Sequence, residues 1–149
     1  MGFFSNLKNA VTGGAATVSV HVPPQARRGD TLPIHIQATA KSEASVNAVY
    51  LLIRAIETAQ VKDTDFANGK SSTETVHGRK VTYESRIIIA GPQRLQQGQS
   101  YTWDGQLPLP MTGNPSFRGQ MISHSWEVQA GLDMTGNDPD SGWQPIDVS

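Results

Sequence analysis

From Thr17 to Val148 the apolar residues of this chain recur mainly at every second position, and Pro or Gly interrupts most of these runs. A spacing of two sends successive side chains to opposite faces of an extended strand, so each run describes a strand with one buried and one wet face. The first run sets Val18, Val20 and Val22 against Ser19 and His21, and Pro23-Pro24 ends it because proline brings no N–H to a ladder. The second sets Leu32, Ile34, Ile36 and Ala38 against His35 and Gln37. His21 and His35 therefore fall on the solvent side. Val81, Tyr83, Ser85, Ile87 and Ile89 make a further strand closed by Gly91-Pro92, and Tyr101, Trp103, Gly105 and Leu107 another, halted by the LPLP ending at Pro110. The longest alternation joins Ile122, His124, Trp126, Val128, Ala130 and Leu132, with Ser123, Ser125, Glu127 and Gln129 opposite. A last short strand is expected from Gln144 to Val148.

Three segments depart from this rhythm. Val46 to Ile56 is apolar on both faces, which requires cover on both sides. Lys62 to Gly78 is polar, carries the turn signal Asn68-Gly69, and reads as a long hairpin connection. At the amino end, Phe3, Phe4, Leu7 and Val11 share one side of a short helix that Gly13-Gly14 stops. Residues 1–14 are thus a short amphipathic segment and residues 15–149 a single domain. The segment reads as a plug on one end of the domain; its alternative roles are self-association or contact with a membrane surface, and its few basic residues disfavour the membrane.

Composition narrows the function classes. A chain of 149 residues needs one core, and 37% hydrophobic against 17% charged residues is too apolar for disorder. Twelve Lys plus Arg against thirteen Asp plus Glu leave no basic excess for a phosphate backbone, so no nucleic acid is expected as a partner. With no cysteine there is no disulfide framework, thiolate metal site or thiol nucleophile, which fits a reducing cytoplasm. No run is long enough to span a bilayer. Asn6, Lys8 and Asn9 break up any secretory leader, and Asn6 stands where a myristoylation signal needs Ser or Thr. Seven strands of this spacing, with no second helical pattern, predict an all-β, immunoglobulin-like antiparallel β-sandwich of about seven strands.

VYLLIRA from Val49, GQLPLP from Gly105, and PSFRG followed by WEVQAGLD resemble the arrestin amino-terminal domain. Pro115, Ser116, Phe117, Gly119, Trp126, Val128, Ala130, Leu132 and Asp133 carry that likeness. Within the arrestin clan the chain looks most like the bacterial sporulation-control protein M family, which opens with a similar Phe-Phe segment and has a turn where this chain has Arg28-Gly29-Asp30. The resemblance implies one arrestin-like sandwich, where family members usually have two, and it implies protein partners. Pro33 and His124 depart from the family pattern.

Few residues suggest chemistry. His124 shares a strand face with Ile122 and Trp126, so it is expected inside, neutral and hydrogen-bonded, while Ser123, Ser125 and Glu127 project from the opposite face and cannot complete a triad with it. Arg28-Gly29-Asp30 spells an adhesion tripeptide but reads as a turn. Asp133, Asp138 and Asp140 gather hard oxygens near glycines, yet their spacing does not match a calcium loop of the EF-hand type. Trp103 and Trp126 sit at inward positions, which leaves Trp143 as the tryptophan available to a ligand. No phosphate loop, zinc-protease helix or nucleophile elbow occurs.

The expected function is therefore a non-catalytic protein-interaction or regulatory module, with no cofactor and no metal. Phe3, Phe4, Leu7 and Trp143 are the candidate partner-binding residues. Strand addition at a sheet edge and docking through Lys62 to Gly78 are the available modes, and an open edge also allows a homodimer. The alternative is a carbohydrate-binding sandwich using Trp143, with calcium held by the aspartates.

Overall fold

Eleven strands follow in order: β1 (Ala16–His21), β2 (Gln25–Ala26), β3 (Thr31–Ala40), β4 (Ala44–Val46), β5 (Ala48–Ala67), β6 (Lys70–Ala90), β7 (Gln93–Leu95), β8 (Ser100–Pro108), β9 (Phe117–Arg118), β10 (Ile122–Asp133) and β11 (Gln144–Val148). They belong to a computed structural model that describes residues 14–149. The plug expected from Phe3, Phe4 and Leu7 lies outside the described residues. Strands β2, β4, β7 and β9 are pieces of two or three residues, and the remaining seven are the expected set.

Two sheets form the body, β1-β3-β8 and β2-β11-β10-β5-β6 with β9 added on β10, and β4 and β7 pair as a separate two-stranded sheet. All long pairings are antiparallel. The two sheets share one core: Val18, Ile36 and Leu107 come from the first, and Leu51, Ile53, Trp126 and Val128 from the second. Each of these seven side chains is at most 1% exposed. Burying such a side chain is worth about 1.5–3 kcal/mol, so the alternation itself drives the sheets together. Among the described residues no helix is long and apolar enough to cross a membrane.

The two-faced apolar run of β5 also finds its cover. Val49, Leu51, Ile53 and Ala55 face the core, while Tyr50 and Ile56 are buried on the far side. Tyr50 lies across Gly131 of β10, its register partner. A Cβ at Gly131 would come within 2.4 Å of the phenol oxygen, so the missing side chain is what lets the ring lie flat on the sheet.

Lys62 to Gly78 differs from the expected connection. β5 and β6 continue pairing through Lys62↔Thr75, Thr64↔Thr73 and Ala67↔Lys70, and a two-residue turn joins them. Asn68 and Gly69 have φ of 54° and 74°, the left-handed pair that a tight hairpin turn of type I′ demands. The result is a ribbon that projects beyond the sandwich by roughly 25 Å at about 3.3 Å per residue. Every residue from Gln60 to Lys80 is exposed. Both of its faces meet solvent, so it carries no apolar alternation for a core to impose.

Gly131→Ala is expected to destabilise the domain by about 1–3 kcal/mol through overpacking against Tyr50, as read by urea denaturation. The loss should shrink in a Tyr50→Ala background; an equal loss in both would place the ring elsewhere.

Candidate functional site

The projecting ribbon leaves the sandwich at the end where the Asn114–Ser116 turn is fastened to β10. Alternation brings His124 and Trp126 to the inner face of β10, 2% and 1% exposed, and each uses its polar atom on that turn. Trp126 Nε1 donates to the Asn114 carbonyl at 3.0 Å. His124 Nδ1 donates to the Pro115 carbonyl at 3.1 Å, which in a neutral ring leaves Nε2 to accept from the Thr82 hydroxyl at 2.7 Å. Thr82 is the extra residue of a bulge, since Ala55 pairs with Tyr83 and Ile56 with Val81. A bulge re-aims one side chain, and here the hydroxyl also lies 3.2 Å from the Ala55 carbonyl. Ser116 completes the fastening, exchanging bonds with Val148 of β11. His124 is thus a structural tie with both nitrogens engaged.

Beside this tie, on the opposite face of the large sheet, one row crosses four strands: Arg118, Ser123, Thr58 and Arg79 are successive register partners. An open groove of about 430 Å³ is lined by these four together with His77 and Met121. Among the described residues neither Arg79 nor Arg118 forms an ion pair. Two guanidinium groups flanking two hydroxyls make a donor-rich strip suited to an anionic ligand. Lys62 shares that face two same-face positions beyond Thr58, while the ribbon's other face carries Asp63, Asp65 and Glu74 together with Lys70 and Lys80. Exposed Val61, Val76, Met121 and Phe117 lie around the base of the ribbon and the β9–β10 turn.

The other candidate residues have internal partners. Arg54 pairs with Glu127 and lays its guanidinium 3.8 Å over the Trp143 ring, so one face of that half-buried tryptophan is already covered. Asp138 accepts from the Tyr50 hydroxyl at 2.9 Å and from the Met134 amide at 3.0 Å. Asp140 accepts from the Gly142 amide, and Asp133 lies 3.5 Å from Arg86. Asp138 thus pins the loop from Met134 to Trp143 onto the sheet through Tyr50, Asp140 holds a turn within the loop, and Asp133 links β10 to β6. Among the described residues no cluster of three or more His, Cys, Asp or Glu is arranged to hold a metal ion. Arg27 to Asp30 forms a turn, with Gly29 at φ 84° and the Asp30 amide bonded to the Arg27 carbonyl. Half-buried Trp103 packs against the core and donates to Gln93, and His35 bonds Asp104 on the solvent side.

Arg79, Arg118 and Thr82 were not singled out by sequence. A signal for the first existed: counting outward from Asn68-Gly69 puts Thr58 opposite Arg79. The pairing of Arg118 with Ser123 closes over a short loop whose residues show no alternation.

No protein-family model matches the sequence, and no curated protein does. Among solved structures, the chain is similar to the crystal structure of Spo0M, a sporulation control protein from Bacillus subtilis, with a TM-score of 0.60 and 16% sequence identity. The match covers 92% of this chain and 50% of that one, so this chain spans half the length of the solved relative. At that identity the likeness is one of fold, and it agrees with the arrestin-like, sporulation-control resemblance carried by the sequence motifs.

His124→Phe is expected to lower stability by about 1–3 kcal/mol, because the Pro115 carbonyl loses its donor. A variant as stable as the parent in urea would mean the tie holds nothing. Burial, then the hydrogen bond to Asp138 and its negative charge, hold the Tyr50 phenol protonated well above its ordinary range, against the pull of Arg86. The unfolded phenol loses its proton first, so this stability is full below pH about 10 and falls as pH rises beyond it. Tyr50→Phe should flatten that alkaline decline in denaturation midpoints; an unchanged slope would contradict the assignment.

Proposed function

We propose that this chain is a non-catalytic protein-interaction module of regulatory type, and that it docks an acidic segment of a partner protein in the groove at the base of the ribbon. The row Arg118, Ser123, Thr58, Arg79 carries this reading, because it offers cationic and hydroxyl donors on an exposed face with no internal acceptor assigned to either arginine. Exposed Met121, which lines the groove, supplies apolar contact area that charge alone lacks. Spo0M, with which the chain shares its fold, is titled a sporulation control protein, and that supports a regulatory rather than a metabolic role. A chain without cysteine suits a reducing compartment, and the cytoplasm is the proposed one. Phe3, Phe4 and Leu7 remain candidates for a second contact.

A fluorescent peptide alternating Glu with Leu tests the groove by anisotropy. Binding should weaken roughly tenfold in an Arg79→Glu, Arg118→Glu double variant and should fall with added salt. Equal binding by parent and variant, or none by the parent, would overturn the reading.

A further inference from the structure

A row of three residues crosses the small sheet on its outward face. His21 of β1, His35 of β3 and Asp104 of β8 are successive register partners, and the burial alternation of all three strands turns them away from the core. The two imidazole centroids lie 6.2 Å apart, with the rings tilted by 31°. Asp104 Oδ1 stands 2.7 Å from His35 Nδ1. A carboxylate only accepts, so Nδ1 carries the proton, and in the neutral ring the free lone pair is left on Nε2.

An imidazole that ligates a metal is oriented in this way, its second nitrogen donating to a carboxylate that fixes the ring and raises its basicity. Two imidazoles on one ion, each at about 2.0–2.1 Å, have centroids roughly 5–6 Å apart, so a small rotation of the exposed His21 ring brings both to one point. An open pocket of about 300 Å³ lined by both rings with Val22, Pro23, Pro33 and Asp104 leaves room for water in the remaining positions. Charge points the same way: among the described residues, the outward face of this sheet carries Asp104 and neither Lys nor Arg to repel a cation. We propose that His21 and His35 bind one divalent late first-row metal ion of the zinc and nickel class, with Asp104 orienting His35 from outside the ligand set. Imidazole suits these ions, whereas magnesium and calcium take oxygen ligands. Because two side chains ligate and the carboxylate serves the ring, no cluster of three protein ligands is needed. The ion would clip the edge strand β1 to the central strand β3. The site belongs to the small sheet and the groove to the large one, so the two proposals are independent.

The absence of cysteine makes the test clean, since no thiolate competes for the metal. Isothermal titration of zinc chloride into the untagged full chain should show one ion bound per chain, and His21→Ala and His35→Ala should each abolish the binding heat. Asp104→Asn keeps both ligands and should weaken binding roughly tenfold or more, while its metal-free urea midpoint stays at the parent's. Zinc should raise the parent's urea midpoint, because it binds the folded chain, and should leave that of either histidine variant unmoved. Calcium chloride in place of zinc should give no heat. A parent that binds no zinc, binding that survives both histidine variants, or a loss seen only in His77→Ala would overturn the proposal. An Asp104→Asn variant that binds as tightly as the parent would overturn the orienting role.

Discussion

The fastening of the Asn114–Ser116 turn to β10 by Trp126 and His124 is the contact on which the far end of this domain depends. Both side chains sit in the core because the alternation of β10 puts them there, and burial obliges each polar nitrogen to find a partner. Each finds a backbone carbonyl of the same turn. The turn in turn holds β11 through Ser116, so one proline-containing stretch ties β10 to its neighbour β11. Thr82 adds β6 to the tie through a bulge. Past that bulge β5 and β6 leave the sandwich still paired.

Two faces of the same hairpin then meet different demands. Within the body its inner face is core; on its outer face Tyr50 and Arg54 of β5 hold the loop from Met134 to Trp143, while Glu84, Arg86 and Ile88 of β6 are exposed. Beyond the body both faces are free: Arg79, His77 and Lys62 lie on one without a carboxylate, while the other mixes Asp63, Asp65 and Glu74 with Lys70 and Lys80. A strand pair of this kind contributes little to stability by itself. Its projection and its one purely cationic face are what a docking element needs, and the body supplies the rigid base.

Much of the fold was legible because a core imposes a period of two. The seven longer strands, the inward placement of His124 and Trp126, and the Arg28-Gly29-Asp30 turn all follow from that rule or from turn chemistry. The ribbon was not legible, because Lys62 to Gly78 has no buried face and its strand pairing is written in cross-strand partners such as Thr64 and Thr73 rather than in alternation. The loop from Met134 to Trp143 was misleading for a related reason. Its aspartates look like ligands in sequence, but their acceptors are satisfied by Tyr50 and by backbone amides that only the fold brings near. The groove arginines stand 39 positions apart in sequence and meet only because four strands lie side by side (118 − 79 = 39).

Nuclear Overhauser contacts across the hairpin test most directly whether Lys62 to Gly78 is a paired arm held by the body. A paired arm gives strong cross-strand contacts between Thr64 and Thr73 and between Lys62 and Thr75, with extended-strand chemical shifts on both sides of Asn68-Gly69. Random-coil shifts and no contacts across that segment would return it to a loop and remove the surface on which the functional reading rests.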